Sequence, residues 1–87
     1  MWRVRLERRA EKDLLRLGTA DQRRVRAFID ERLGAAVNPR NLGAPLTGPF
    51  SGQWKYRVGD IRIIAEIWDD ELLIVVVQVG NRREVYR

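Results

Sequence analysis

The sequence predicts an α+β fold in the order β-α-α-β-β-β, with an antiparallel sheet and a helical hairpin packed on one face. Three patterns carry that expectation: a period-two alternation at the N-terminus, two stripes at helical spacing, and three β-rich runs near the C-terminus separated by turn residues. A chain of 87 residues has room for one core, so 1–87 is read as a single domain.

Residues 2–6 set Trp2, Val4 and Leu6 against Arg3 and Arg5, as a strand with one buried face requires. From Glu7 the period lengthens: Ala10, Leu14 and Leu17 recur at helical spacing, and Gly18 stands where a helix C-terminal glycine is expected. Thr19 and Gln22 have the form of a capping box, and Val25, Phe28, Ile29 and Leu33 supply the stripe of a second helix. The stretch 34–52 contains Gly34, Gly43, Gly48, Gly52, Pro39, Pro45 and Pro49 and is read as a long loop. Strands are expected at 53–58, 61–68 and 72–79, with Gly59-Asp60 and Asp69-Asp70-Glu71 as the reversals of a meander. Within them Trp54, Tyr56 and Val58 oppose Lys55 and Arg57, while Ile61, Ile63, Ala65 and Ile67 oppose Arg62, Ile64, Glu66 and Trp68. The run 72–77 is apolar on both faces, as a central strand is.

Seventeen Lys plus Arg against twelve Asp plus Glu give a formal net charge of +5, which favours polyanionic partners. Lys12 and Lys55 are the only lysines, so almost all the positive charge sits on guanidinium groups, whose planar fork suits phosphate. The chain has no cysteine, which removes disulfides and thiol catalysis, and no histidine, which removes Ser-His-Asp triads, His-based zinc sites and two-histidine ribonuclease chemistry. No apolar run reaches the ~18 residues of a membrane span, and the first residues lack a signal-peptide core, so a cytoplasmic protein without membrane contact is expected.

Five residues draw attention as a candidate catalytic set: Lys55, Arg57, Arg62, Arg83 and Tyr86. A meander brings the first three near one another. Such a group can stabilise charge at a phosphate, with proton transfer limited to Lys55 or Tyr86. That chemistry suits RNA cleavage by the substrate's own 2′-hydroxyl, where the protein chiefly positions and neutralises. Plainer accounts exist for each residue: a solvated strand face for Lys55 and Arg57, pairing with Glu66 for Arg62, a neighbouring carboxylate for Arg83, and edge packing for Tyr86. Trp2, Trp54 and Trp68 are read as packing residues, and Arg8, Arg9, Arg16, Arg23, Arg24 and Arg26 as solvated helix faces.

Three segments carry a resemblance: Pro45-Leu46-Thr47-Gly48, Gly52-Gln53-Trp54-Lys55-Tyr56-Arg57-Val58-Gly59-Asp60-Ile61-Arg62-Ile63-Ile64, and Val79-Gly80-Asn81-Arg82-Arg83-Glu84-Val85-Tyr86-Arg87. Together they resemble the RelE/ParE superfamily of toxins from type II toxin–antitoxin systems, the RelE branch more closely, over essentially the whole chain. The resemblance implies a RelE-like fold and a ribosome-dependent messenger RNA endoribonuclease that needs no metal or cofactor and leaves a 2′,3′-cyclic phosphate and a 5′-hydroxyl. It implies as partners a cognate antitoxin, the ribosome and mRNA, with operator DNA reached only through the antitoxin complex. Carried over residue by residue, Lys55 matches a general base toward the 2′-hydroxyl and Arg57 a second basic position. Arg62 matches the arginine that stabilises the crowded phosphate, Arg83 the one beside the leaving 5′-oxygen, and Tyr86 an aromatic that orients a base. A guanidinium does not give up its proton, so Arg83 is better read as holding charge on the departing oxygen. The sequence departs from the pattern at Asn81, where relatives often carry histidine or another base, and at Ile61 and Ala65, where aromatics are frequent. The alternatives are a ParE-like gyrase inhibitor without nuclease activity and a basic adaptor within a repressor complex.

Overall fold

The computed structural model describes residues 1–81. Strand β1 (Arg3–Leu6) leads into helices α1 (Arg8–Leu15) and α2 (Thr19–Ala27), followed by β2 (Ala44–Pro45), β3 (Trp54–Val58), β4 (Ile61–Trp68) and β5 (Leu73–Asn81). The five strands form one sheet in the order β1-β5-β4-β3-β2. The α+β architecture and the β3-β4-β5 antiparallel meander match the expectation from sequence.

The core forms where the helix stripes meet one sheet face. Ala10 and Leu14 of α1, Val25 of α2, and Ile29 and Leu33 beyond it pack on Tyr56, Ile61, Ile63, Ala65, Ile74, Val76 and Val79. Each strand contributes alternate residues, so Lys55, Arg57, Arg62, Ile64, Leu73 and Val75 are turned to the opposite face. None of these six belongs to the helix-side core cluster.

Several details depart from the expectation, each for a local reason. The sheet is mixed, because β1 pairs with β5 in parallel while every other pair is antiparallel. Strand β1 lies at the edge beside β5, and the chain between the two runs through both helices, the loop and β2–β4, far longer than the crossover a parallel pair needs. The loop 34–52 is not wholly irregular: Ala44 pairs with Lys55 and Pro45 with Trp54, and Pro45 is tolerated because β2 is an edge strand. The second helix changes to a π-helical turn at Phe28–Leu33, closed by the Gly34 N–H donating to the Ile29 carbonyl at 3.0 Å. The capping box is not formed. Gly18, in extended geometry, is the N-cap of α2 rather than a left-handed stop for α1, and no side chain caps it. Gln22 turns back to donate from Nε2 to the Leu17 carbonyl at 2.8 Å, satisfying a group that the short inter-helix turn leaves open.

Beyond the end of β1, no strand among the described residues pairs with that edge of β5, and the Asp13 carboxylate of α1 accepts the Val79 N–H at 3.1 Å. A bulge interrupts the β4–β5 ladder: Ile64 faces Gln78 whereas Ala65 faces Val76, leaving Val77 as the extra residue. Its effect is to turn Gln78 to the helix-free face and Val79 into the core, which strict alternation along 72–79 would reverse.

The loop 34–52 is fastened on the helix side of the sheet. The buried Tyr56 hydroxyl donates to the Pro39 carbonyl at 3.0 Å. Burial pushes this phenol up to about 12, against a smaller opposing pull from the Arg40 charge, so it remains a donor across the physiological range. Arg40 lies over the Trp54 ring, 5.7 Å from its centroid, and holds Asp69 in a two-pronged pair at 2.8 and 2.7 Å. That bond to Arg40 holds the Asp69 carboxyl below its usual value. A depressed carboxyl contributes stability above its unfolded value and loses it as pH falls through the folded one. Asp69→Asn is therefore expected to lower stability at neutral pH, with the difference from wild type vanishing in strong acid. Urea titrations at the two pH values read this directly, and a difference that persists in acid contradicts it.

Candidate functional site

The helix-free face of the sheet carries the basic side chains that alternation assigned to it. In β3 and β4, Lys55 stands opposite Ile64 and Arg57 opposite Arg62. Cross-strand neighbours lie about 5 Å apart and same-face residues on one strand about 7 Å apart, so these four positions outline a small rectangle. Three corners are cationic. The fourth, Ile64, is buried at 1% exposure and gives the rectangle an apolar floor.

Arg57 and Arg62 are like charges directly opposed, an arrangement that disfavours folding unless something negative lies between them. Here the Gly59 carbonyl partly fills that role: Arg57 Nε donates to it at 3.2 Å and Arg62 Nη1 reaches it at 3.5 Å. The carbonyl is presented by a two-residue turn, Gly59-Asp60, whose Gly59 has φ +60°, as a tight hairpin with glycine at its first turn position requires. Arg62 is flanked on its other side by Gly80, which has no side chain to crowd it. Among the described residues the ion pairs are Arg9–Asp13, Arg24–Asp21 and Arg40–Asp69, so no carboxylate neutralises Lys55, Arg57 or Arg62 there. The suggested pairing of Arg62 with Glu66 does not form; Glu66 instead accepts the Trp68 indole N–H at 3.1 Å.

Lys55, Arg57 and Arg62 are thus brought together. Arg83 and Tyr86 lie outside the described residues, which end at Asn81, the exposed residue paired with Ile61 next to Arg62. The face extends further than the sequence reading proposed. Parallel pairing sets Arg3 beside Leu73 and Arg5 beside Val75, adding two exposed guanidinium groups at the far end. The alternation in 2–6 had already set both apart from the core; only the strand order was missing. Trp2 and Trp54 pack against the core as expected. Trp68 does not: it is 39% exposed on the basic face, with the Arg5 guanidinium 5.6 Å from its ring centroid. The loop 34–52, anchored at Tyr56 and Asp69, extends the sheet edge through β2 and packs on the helix side. Among the described residues no group of three His, Cys, Asp or Glu side chains is placed to hold a metal ion, and no helix is long and apolar enough to cross a membrane.

Such a face offers fixed positive charge and hydrogen-bond donors around an apolar floor, a setting in which a phosphodiester is bound and charge developing on it is stabilised.

Comparison with known proteins identifies the family. The toxin of the RelBE2 toxin–antitoxin complex from Mycobacterium tuberculosis is similar in structure, with a TM-score of 0.86 and 27% identity over 93% of this chain and 98% of that one. The archaeal RelE–RelB complex from Pyrococcus horikoshii OT3 matches with a TM-score of 0.73 and 25% identity, covering 97% and 98% of the two chains. The isolated E. coli RelE toxin shares the fold at a TM-score of 0.73 and 20% identity, over 99% of this chain and 92% of that one. No curated protein matches by sequence. Residues 4–86 match the family described as the ParE toxin of type II toxin–antitoxin systems. The chain belongs to that family, a toxin of the RelE/ParE superfamily.

Proposed function

We propose that this toxin is a ribosome-dependent messenger RNA endoribonuclease whose centre is Lys55, Arg57 and Arg62, with Arg83 and Tyr86 assigned from the sequence motif alone. The observation that carries the proposal is the cluster of Lys55, Arg57 and Arg62 on the helix-free face, which no carboxylate among the described residues neutralises. In this reading the substrate 2′-oxygen attacks phosphorus as its proton passes to Lys55, the general base that the sequence motif assigns. The bond from phosphorus to the 5′-oxygen breaks, giving a 2′,3′-cyclic phosphate, and the 5′-oxygen takes a proton from water. Arg62 and Arg57 stabilise the charge that gathers on the non-bridging oxygens. Arg83 holds the departing oxygen, and Tyr86 stacks on a base, a contact worth roughly 1–3 kcal/mol.

Solved relatives in complex with RelB antitoxins support a cognate antitoxin as partner of this chain. The family description, ParE, favours a second reading in which the protein inhibits DNA gyrase by binding alone. Purified toxin tested on translating ribosomes and on gyrase supercoiling separates the two. Discrete new 5′-hydroxyl ends in ribosome-bound transcripts support the nuclease; inhibited supercoiling with intact RNA replaces it by the gyrase reading.

A further inference from the structure

Trp68 lies six residues beyond Arg62 on β4, about 20 Å at ~3.3 Å per residue, and on the same helix-free face. Its indole N–H is spent on a half-buried carboxylate outside the core: it donates to Glu66 Oε1 at 3.1 Å, which fixes the direction of that carboxylate. The Arg5 guanidinium lies over the ring, with its carbon 5.6 Å from the centroid. A planar platform, a fixed cation and an oriented carboxylate thus meet at one place, each exposed or half-buried.

We propose that Trp68, Arg5 and Glu66 form a second subsite on the RNA path, one that receives an unpaired guanine a few nucleotides from the scissile phosphate. The inference rests on the reading of this face as an RNA-cleaving site. Unpaired bases stack on aromatic rings and on guanidinium planes, and the Arg5–Trp68 pair supplies both. A carboxylate only accepts hydrogen bonds, and each oxygen has two lone pairs, so Glu66 retains capacity after taking the indole N–H. Guanine presents N1–H and N2–H side by side and can engage both carboxylate oxygens. Uracil presents a single N3–H between two carbonyl oxygens, which the carboxylate repels. Arg5, with Arg3 next along β1, attracts the adjoining phosphates. The path ends there: Asp70 and Glu71 are exposed in the turn after Trp68, where Asp69 is already taken by Arg40. Further phosphates would meet like charge.

The test uses uncleavable 2′-O-methyl octanucleotides of uracil with a single guanine moved through every position, titrated against the purified toxin. Wild type is expected to bind one register about tenfold more tightly than the all-uracil strand, the usual scale of a two-bond base contact. Glu66→Gln removes a negative charge, so it abolishes that gain while tightening the all-uracil strand about twofold, a split that loss of structure does not produce. Trp68→Ala loses the gain and weakens every strand, whereas Arg62→Ala weakens every strand and keeps it. Absence of a preferred register, or a gain that survives Glu66→Gln, overturns the guanine subsite while leaving the cleavage site in place. Failure of every strand to bind wild type likewise overturns the guanine subsite, and cleavage of ribosome-bound transcripts then judges the cleavage site by itself.

Discussion

Arg62→Ala is expected to reduce translation-dependent transcript cleavage by at least about a hundredfold, the scale of losing one donor aimed at developing charge. Folding stability should stay at the wild-type level or rise slightly. The two effects are opposite because of where Arg62 sits. As a structural residue it is a poor choice: it faces Arg57 across the strands, it reaches the Gly59 carbonyl only at 3.5 Å, and no carboxylate among the described residues balances it. Truncation relieves like-charge repulsion and leaves no buried group unpaired. If the face works on RNA, the same truncation removes the cation nearest the crowded phosphate. Cleavage assays on programmed ribosomes, run beside thermal unfolding, read both quantities on one preparation. Destabilisation with cleavage intact would identify Arg62 as a structural residue and displace it from the site.

The second large effect is expected at Gly43. A β-carbon there would lie 2.5 Å from the Lys55 carbonyl oxygen and 2.8 Å from two ring carbons of Tyr56. The backbone at Gly43 is extended, open to any residue, so space and not conformation demands glycine. Gly43→Ala should cost about 1–3 kcal/mol, as overpacking does when the struck atoms are backbone and a buried ring. It should also depress cleavage disproportionately, because the atom that must yield belongs to Lys55, and misplacing a catalytic group by ~1 Å costs roughly a hundredfold. Gly18→Ala provides the contrast: a β-carbon there meets nothing within 4 Å and the backbone is extended. That change should leave stability within about 0.5 kcal/mol, as surface substitutions usually do. Denaturation and cleavage measured on the pair settle the matter, and equal behaviour of the two variants contradicts the packing account.

The periodicities were enough to place most of the fold. Period two in 53–58 and 61–68 separated Lys55, Arg57 and Arg62 from Tyr56, Ile61 and Ile63, and the short Gly59-Asp60 turn left one register for the pairing. Hence three of the five candidate site residues were legible as neighbours. What stayed hidden depends on contacts distant in sequence. Nothing local to residues 2–6 says that β1 lies parallel to β5, so the contribution of Arg3 and Arg5 to the basic face was missed. The bulge at Val77 was concealed within an unbroken apolar run, where shifting alternation by one residue leaves hydrophobicity almost unchanged. The role of Gln22 was misread because the sequence Thr-x-x-Gln fits a capping box equally well, and only the tight turn after α1 gives its amide a better acceptor. Residue type alone suggests a packing role for Trp68, whereas its alternation with Arg62 and Glu66 sets it on the exposed face, where it lies.

In the proposed reaction the substrate's own sugar attacks while Lys55, Arg57 and Arg62 manage charge and proton around the phosphate. The most direct measurement is cleavage of a ribosome-bound messenger carrying a single 2′-deoxynucleotide immediately 5′ of the mapped cut. This messenger should be bound by the toxin as tightly as the all-ribose control but not cut, whereas the control is cut and leaves a 2′,3′-cyclic phosphate. Cleavage of the deoxy messenger at the same bond contradicts that reaction, because a nucleophile other than the 2′-hydroxyl would then be at work.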